Sequence, residues 1–222
     1  MTVTLPQQFQ DTMRELLAEE YQDYIKSMEE PSHTALRVNT HKISLQEFAE
    51  LCPFASEPVA WEPKGFYYDS TGAAVSKHPY YYAGLYYIQE PSAMIPAKLL
   101  PVEKGDRVLD LCAAPGGKSI FAALMMEGTG HVISRDVSEK KTGQIEENVQ
   151  RLGLGNISVE TADALEHNLA DEETADMLLA DIPCSGLGII GRKPDIKYNV
   201  SREKLDGIVR LQRDILDSVC SY

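Results

Sequence analysis

The spacing of apolar residues in the first third of the chain predicts a small mixed domain. Apolar positions recur every three to four residues over 5–30, which predicts a helix that ends at Pro31. The apolar segment ALRVN at 35–39 predicts a strand, and prolines and glycines divide 53–76 into short strands and turns. We therefore predict a small α+β N-terminal domain over residues 1–76.

From residue 105 onward, strand-like and helix-like patterns alternate. The predicted strands are 107–112, 131–136, 156–163 and 175–181, and the predicted helices are 120–126, 138–152 and 201–220. This alternation predicts an α/β fold with a parallel, Rossmann-like sheet over 105–222. We interpret 77–104 as a linker with a helix that packs on this core. The five tyrosines of 78–91 fit either a packed linker or an aromatic surface near a ligand or an RNA base.

One segment of the parallel region has the layout of a ligand site. The sequence RVLDLCAAPGGKS at 107–119 predicts a buried strand, a tight turn at Pro115, Gly116 and Gly117, and the start of a helix. Glycines allow a ligand to approach the backbone, and a helix start offers unpaired N–H groups. An ordinary connecting turn would use the same glycines, so the turn alone leaves both interpretations open.

Aspartates follow three of the predicted strands. Asp136, Asp163 and Asp181 come at strand ends, where ligands of parallel sheets bind. Asp136 follows the glycine turn by about 20 residues, the spacing at which an acid reaches ribose hydroxyls, and Asp163 could face an adenine edge. The turn lacks both the G-x-G-x-x-G and the P-loop spacing. S-adenosylmethionine is therefore a better candidate than a dinucleotide or a nucleoside triphosphate.

The net charge limits how the chain could bind nucleic acid. A net charge of −13 argues against strong non-specific binding of a polyanion. RNA contact would need a local basic surface, and residues 192–213 contain seven basic and three acidic residues. We predict an RNA-binding rim in this segment, with Arg192, Lys193 and Lys197 as the candidate contacts.

Cysteine spacing and hydropathy exclude several other classes of protein. The four cysteines lie far apart with no C-x-x-C pair, and the five histidines are scattered, so neither a disulfide framework nor a metal site is predicted. No apolar run reaches 18 residues, and no signal-peptide pattern follows Met1. We expect a cytoplasmic protein with no membrane partner.

The last predicted strand runs into DIPCSGLG at 181–188, which is a second candidate for chemistry. Cys184 stands close to Asp181 in the chain, just beyond a strand. Taken from the residues alone, Cys184 is the natural nucleophile of the site, and a buried structural thiol is the alternative.

These two motifs together resemble the Sun (Nol/Nop/Sun) family of RNA 5-methylcytosine methyltransferases. DLCAAPGGKS at 110–119 and DIPCSGLG at 181–188 are similar to its cofactor and catalytic motifs. LRVN at 36–39, HPYYYAGLYYIQEPSAM at 78–94 and GRKPDIKY at 191–198 extend the resemblance over nearly the whole chain, to the RsmF-like branch. The resemblance implies an S-adenosylmethionine-dependent methyltransferase that acts on cytosine in RNA, with ribosomal RNA as the expected partner and an N-terminal domain over 1–76 of the kind that binds RNA.

The resemblance also implies roles for individual residues. The implied cofactor-binding residues are Cys112, Ala113, Ala114, Pro115, Gly116, Gly117, Lys118, Asp136, Asp163 and Asp181. Asp181 would also hydrogen-bond the cytosine ring at N3, and Cys184 would assist product release. In this family the attacking cysteine belongs to a Thr-Cys motif at the end of the next strand.

No Thr-Cys pair occurs in the chain. The resemblance therefore implies a nucleophile beyond Tyr222, a sheet that lacks its C-terminal strands here, and a chain that is inactive alone. The alternative is a fragment that binds S-adenosylmethionine without turnover. A methyltransferase for an amino group is disfavoured because Cys184 follows Pro183 where such enzymes place an aromatic residue. The glycine spacing disfavours a nicotinamide oxidoreductase.

Overall fold

A computed structural model of the chain contains nine α-helices and eight β-strands in its described part. It describes residues 5–28, 33–69, 74–190, 193, 195–199, 201–220 and 222. In chain order the helices are α1 (Gln7–Leu17), α2 (Tyr21–Ser27), α3 (Leu45–Leu51), α4 (Pro79–Tyr82), α5 (Ile95–Leu99), α6 (Gly117–Met125), α7 (Glu139–Leu152), α8 (Ile196–Asn199) and α9 (Arg202–Val219). The strands are β1 (Ala35–Val38), β2 (Ala55–Val59), β3 (Glu62–Tyr68), β4 (Tyr86–Ile88), β5 (Arg107–Asp110), β6 (His131–Asp136), β7 (Ile157–Thr161) and β8 (Met177–Leu179).

The chain divides into two compact units. The smaller unit comprises Met1–Ser32 and Pro183–Asp214, and the larger comprises His33–Ile182 and Ile215–Tyr222. The N-terminal sheet and the parallel sheet therefore belong to one unit, whereas the segment that contains Cys184 belongs to the other.

The smaller unit is built around an apolar cluster from its first two helices. The sequence predicts one helix over 5–30, and this prediction is wrong within the described residues because Ala18 has a φ of 46° and separates α1 from α2. After the break, Tyr21 is buried in the same apolar cluster as the apolar residues of α1. The predicted end at Pro31 lies outside the described residues.

The first sheet of the larger unit is antiparallel, with strand order β2-β3-β1-β4. Its central strand β1 is buried throughout. Helix α3 begins with a capping box, in which Ser44 and Glu47 each bond the other's backbone N–H, and it buries Phe48. The segment 77–104, which the sequence predicts to be a linker with a helix that packs on the core, supplies the strand β4 as well as α4 and α5.

The second sheet is parallel, with strand order β7-β6-β5-β8. This order confirms the predicted Rossmann-like class. Helix α6 is buried from Ser119 to Leu124, and α7 buries Ile145, Val149 and Leu152 in the core. Within the described part of the chain, β8 pairs only with β5 and lies at an edge of the sheet.

Three of the four strands of the parallel sheet, β5, β7 and β8, end two residues earlier than the sequence predicts. Strand β7 ends at Thr161 and β8 at Leu179, each two residues before the aspartate that the sequence places at the strand end. Asp163 and Asp181 therefore lie in the connecting loops, because the backbone leaves the ladder before it reaches them. Of the three predicted site aspartates, Asp136 alone is the last residue of its strand.

The two sheets of the larger unit contact each other through α7. The Asn39 side-chain amide donates to the carbonyls of Gly84 and Leu152, at 2.9 and 2.8 Å. The Lys42 ammonium donates to the carbonyls of Ala83 and Arg151, at 2.8 and 2.9 Å. These bonds fix the N-terminal sheet to the C-terminal end of α7.

Candidate cofactor site

The glycine turn lies between β5 and α6, and residues of α7 and of the N-terminal sheet pack closely against it. Gly116 has a φ of 97°, which a residue with a side chain rarely adopts, and a Cβ there would lie 3.1 Å from Ile145 Cγ2. A Cβ on Gly117 would lie 3.3 Å from both Gln89 Nε2 and Tyr87 Cε1. The turn therefore rests on α7 on one side and on the N-terminal sheet on the other.

Asp136 connects the end of β6 to this turn. Its Oδ2 accepts the Ala114 N–H at 3.0 Å, and its Oδ1 accepts the Val137 N–H at 2.8 Å. The Lys141 ammonium lies 2.9 Å from Oδ1, and Asp136 is only 4% exposed. Three donors thus hold this buried carboxylate in place beside the turn.

Asp110 is a buried acid that the sequence analysis did not select. Its Oδ2 accepts the Ser119 hydroxyl at 2.6 Å, and its Oδ1 has no partner among the described residues. Burial raises the pKa of Asp110 to about 7, and the bond from Ser119 partly opposes this rise. An acid inside the apolar run RVLDLC was the signal that could have identified it.

Lys118 and Asp181 meet beside the turn. The Lys118 ammonium is 2.5 Å from Asp181 Oδ2, and Asp181 is otherwise exposed. The structure therefore brings Asp181 to the glycine turn even though 63 residues separate it from Lys118.

Asp163 lines a separate pocket of the larger unit. The pocket has a volume of about 300 Å³, and its lining includes Leu111, Arg135, His167 and Tyr222. The Asp163 Oδ1 accepts the Leu165 N–H at 3.0 Å, which fixes the carboxylate in its loop. The other carboxylate oxygen of Asp163 accepts no hydrogen bond from the described residues.

The cysteines differ in environment. Burial, followed by the neighbouring charge of Asp136, raises the pKa of the Cys112 thiol to about 11, so this thiol is neutral at pH 7 and is a poor nucleophile. Cys184 and Cys220 are exposed, and Cys52 is buried. Asp181 and Cys184 belong to different compact units.

The basic segment is described only in part. Arg192 lies outside the described residues, as does the side chain of Lys197. Lys193 is exposed. The other exposed basic residues of the segment are Arg202, Lys204, Arg210 and Arg213.

The tyrosine-rich segment has both buried and exposed members. Tyr86 is fully buried and donates to the Val75 carbonyl at 2.7 Å, and Tyr87 is buried against the glycine turn. Tyr82 is 66% exposed. Tyr86 and Tyr87 therefore pack in the interior of the larger unit. Of these three tyrosines, Tyr82 is the one whose ring is accessible to a partner.

None of the helices in the described ranges is long and apolar enough to cross a membrane. No group of three or more His, Cys, Asp or Glu side chains that could hold a metal ion occurs among the same residues.

Comparisons with known proteins extend over both sheets. Residues 97–222 match the family described as 16S rRNA methyltransferase RsmB/F, and residues 5–91 match the N-terminal domain of 16S rRNA methyltransferase RsmF. A curated relative, ribosomal RNA small subunit methyltransferase F of Cronobacter sakazakii, is 32% identical over 98% of this chain and 47% of its own length. The chain thus spans about half the length of the curated relatives it matches.

Solved structures share the fold. A methyltransferase homologue protein from Pyrococcus horikoshii superposes with a TM-score of 0.78 at 28% identity, over 94% of this chain and 66% of its own. The NSun6 structure from the same organism, with SFG, superposes with a TM-score of 0.84 at 21% identity, over 96% and 79% of the two chains. With the parallel sheet and the glycine turn established, the family match over more than half of the residues shows that this chain belongs to the 16S rRNA methyltransferase RsmB/F family.

Proposed function

We propose that this chain binds S-adenosylmethionine at the glycine turn and is part of an enzyme that methylates carbon 5 of a cytosine in ribosomal RNA in the cytoplasm. The observation that carries the proposal is Asp136, a buried carboxylate that holds the Ala114 N–H of the turn at 3.0 Å. The family membership supports methyl transfer to RNA, and the resemblance to the Sun family supports cytosine-5 as the position.

The residues present fit this cofactor. Each carboxylate oxygen can accept two hydrogen bonds, so Asp136 Oδ2, which accepts only the Ala114 N–H from the described residues, retains an acceptor position for a ribose hydroxyl. The start of α6 at Gly117 offers backbone N–H groups that have no intrahelical partners. We infer that residues 112–118 hold the amino-acid part of the cofactor and that Asp163 lies near the adenine.

The chain's own residues then have distinct tasks. When bound, S-adenosylmethionine supplies an activated methyl group. Asp181, held by Lys118 at the rim of the turn, would accept a hydrogen bond from N3 of the cytosine once that nitrogen takes up the proton that the attacking thiol releases, and would so stabilise the ring after the sulfur adds to carbon 6. Cys184, which is exposed, would assist release of the product. The attacking thiolate would come from the Thr-Cys motif of the family.

Calorimetric titration with S-adenosylmethionine tests the cofactor proposal. Asp136→Asn removes the charge that holds the turn and should weaken binding by about 1–3 kcal/mol. Asp176→Asn is the matched control, because Asp176 also accepts a backbone N–H, that of Arg107 at 2.8 Å, but at the opposite end of β5. Equal affinities for the two variants would remove Asp136 from the cofactor site.

A denaturing gel with labelled RNA tests the assignment of the nucleophile. Because the chain contains no Thr-Cys pair, we expect the 222-residue chain to bind the cofactor without forming a covalent RNA adduct. This outcome corresponds to the alternative function, cofactor binding without turnover. If the 222-residue chain did transfer the methyl group, and if Cys184→Ala abolished this activity, Cys184 would instead be the nucleophile.

A further inference from the structure

Two arginines link the N-terminal sheet to the glycine turn. Arg37 of β1 is 2% exposed, and its guanidinium lies over the Phe121 ring at 4.0 Å. Its Nε donates to Gln89 Oε1 at 3.1 Å. The Gln89 amide in turn donates to the Gly117 carbonyl, in a long bond of 3.5 Å, and to the Ala93 carbonyl at 3.1 Å.

Arg151 of α7 repeats this arrangement on the other side of the turn. Its guanidinium lies over the Tyr81 ring at 3.9 Å and donates to the Tyr81 and Tyr86 carbonyls of the N-terminal sheet region, at 2.9 and 3.1 Å. It also donates to Asn148 Oδ1 at 2.9 Å, and the Asn148 amide donates to the Pro115 carbonyl at 3.2 Å. Both pairs therefore end on a carbonyl of the turn.

Bonds to these carbonyls fix the direction of the neighbouring N–H groups. A peptide unit is planar, with its C=O and N–H on opposite sides. Fixing the Gly117 carbonyl therefore fixes the Lys118 N–H, which belongs to the first turn of α6, where N–H groups lack intrahelical partners. A binding site gains affinity when its donors are held in place before the ligand arrives.

We propose that the Arg37–Gln89 pair and the Arg151–Asn148 pair are positioning residues for the cofactor turn. The N-terminal sheet then contributes to cofactor affinity through bonds to the turn. This inference rests on the proposed function of the turn, and it assigns the pairs a role beyond joining the two sheets.

Asn39 provides a matched control. It is fully buried and bonds the Gly84 carbonyl, just before β4, and the Leu152 carbonyl, at the end of α7, but none of its side-chain hydrogen bonds to the described residues reaches the turn. Asn39→Ala should therefore weaken the contact between the sheets without freeing the turn. Arg37→Met retains the apolar contact with Phe121 and removes the bond to Gln89.

The test combines three measurements on the 222-residue chain and its variants. Calorimetry with S-adenosylhomocysteine gives the Kd, urea unfolding gives stability, and ¹⁵N spectra report the Gly116 and Gly117 amides. Asn148→Ala is the second variant, because Asn148 is only half-buried on α7 and alanine favours a helix. It keeps the proposal testable if Arg37→Met does not fold.

We expect Arg37→Met and Asn148→Ala to raise the Kd about three- to tenfold, as loss of one or two hydrogen bonds predicts. Both should move the Gly116 and Gly117 signals, whereas Asn39→Ala should leave these signals and the Kd unchanged while it lowers stability. The proposal fails if Asn39→Ala raises the Kd as much, or if Asn148→Ala leaves the Kd and both glycine signals unchanged. If the unmodified chain does not bind the probe, the proposed function fails, and the glycine signals still decide whether the pairs position the turn.

Discussion

At the scale of single residues, Asp110 makes the free energy of unfolding depend on pH. It is fully buried, and burial raises its pKa to about 7. In the unfolded chain an aspartate has a pKa of about 3.9. Between these two values the folded state holds a proton that the unfolded state has lost, so the free energy of unfolding should fall as the pH rises through this window.

Asp110→Asn should remove this pH dependence because the amide cannot ionise. We expect the variant to gain about 2–3 kcal/mol relative to the unmodified chain between pH 5 and pH 8, measured by urea unfolding. Ser119→Ala removes the hydrogen bond that opposes the rise in pKa, so the loss of stability should shift to higher pH. Parallel stability curves for the unmodified chain and Asp110→Asn would contradict this account.

At the scale of elements, the position of α7 against the N-terminal sheet depends on one glycine. Gly84 has a φ of 70°, and a Cβ there would lie 2.0 Å from the Arg151 carbonyl oxygen. No carbon can approach an oxygen so closely, so any side chain at this position must push the sheet and the helix apart. The close approach also allows Asn39 and Lys42 to bond both elements.

Gly84→Ala should lower the free energy of unfolding by more than about 3 kcal/mol, from backbone strain and the lost contact together. Gly105→Ala is the matched control. Gly105 also has a positive φ, of 97°, but nothing lies within 4 Å of its Cβ position, so only the backbone cost of about 1–2 kcal/mol applies. If urea unfolding showed equal losses of stability for Gly84→Ala and Gly105→Ala, the clash between the new Cβ and the Arg151 carbonyl would cost no free energy.

At the scale of the whole molecule, charge is distributed unevenly. The chain has a net charge of −13, yet the exposed residues Lys193, Arg210 and Arg213 lie in a segment with an excess of basic residues. An acidic protein gains little from general attraction to RNA, so this segment is where phosphate contacts would form.

Charge reversal at Lys193 and Arg213 should weaken RNA binding and reduce its salt dependence. For single-stranded RNA each lost phosphate contact should reduce the slope of log K against log salt by about 0.7. Lys26→Glu with Lys140→Glu introduces the same change of charge at exposed positions outside the segment and should leave the slope unchanged. Equal effects of the two double variants, by filter binding at several salt concentrations, would show that only net charge matters.

The sequence by itself determined the local features of this protein. Alternating apolar runs predicted the parallel sheet, the glycine pair placed the turn at the start of α6, and Asp136 was predicted at the end of its strand. These features follow from spacing between neighbours in the chain, which a sequence displays directly. The family match is consistent with this, since the motifs that carried the resemblance are local as well.

The tertiary structure decided which distant residues meet. Strand β4 completes the N-terminal sheet, Lys118 contacts Asp181, and Arg37 reaches the turn through Gln89. Each pairing depends on strand order and register, which are set by contacts between segments far apart in the chain. The sequence therefore determined which residues could bind a cofactor, and the packing of one sheet against the other decided how those residues are held.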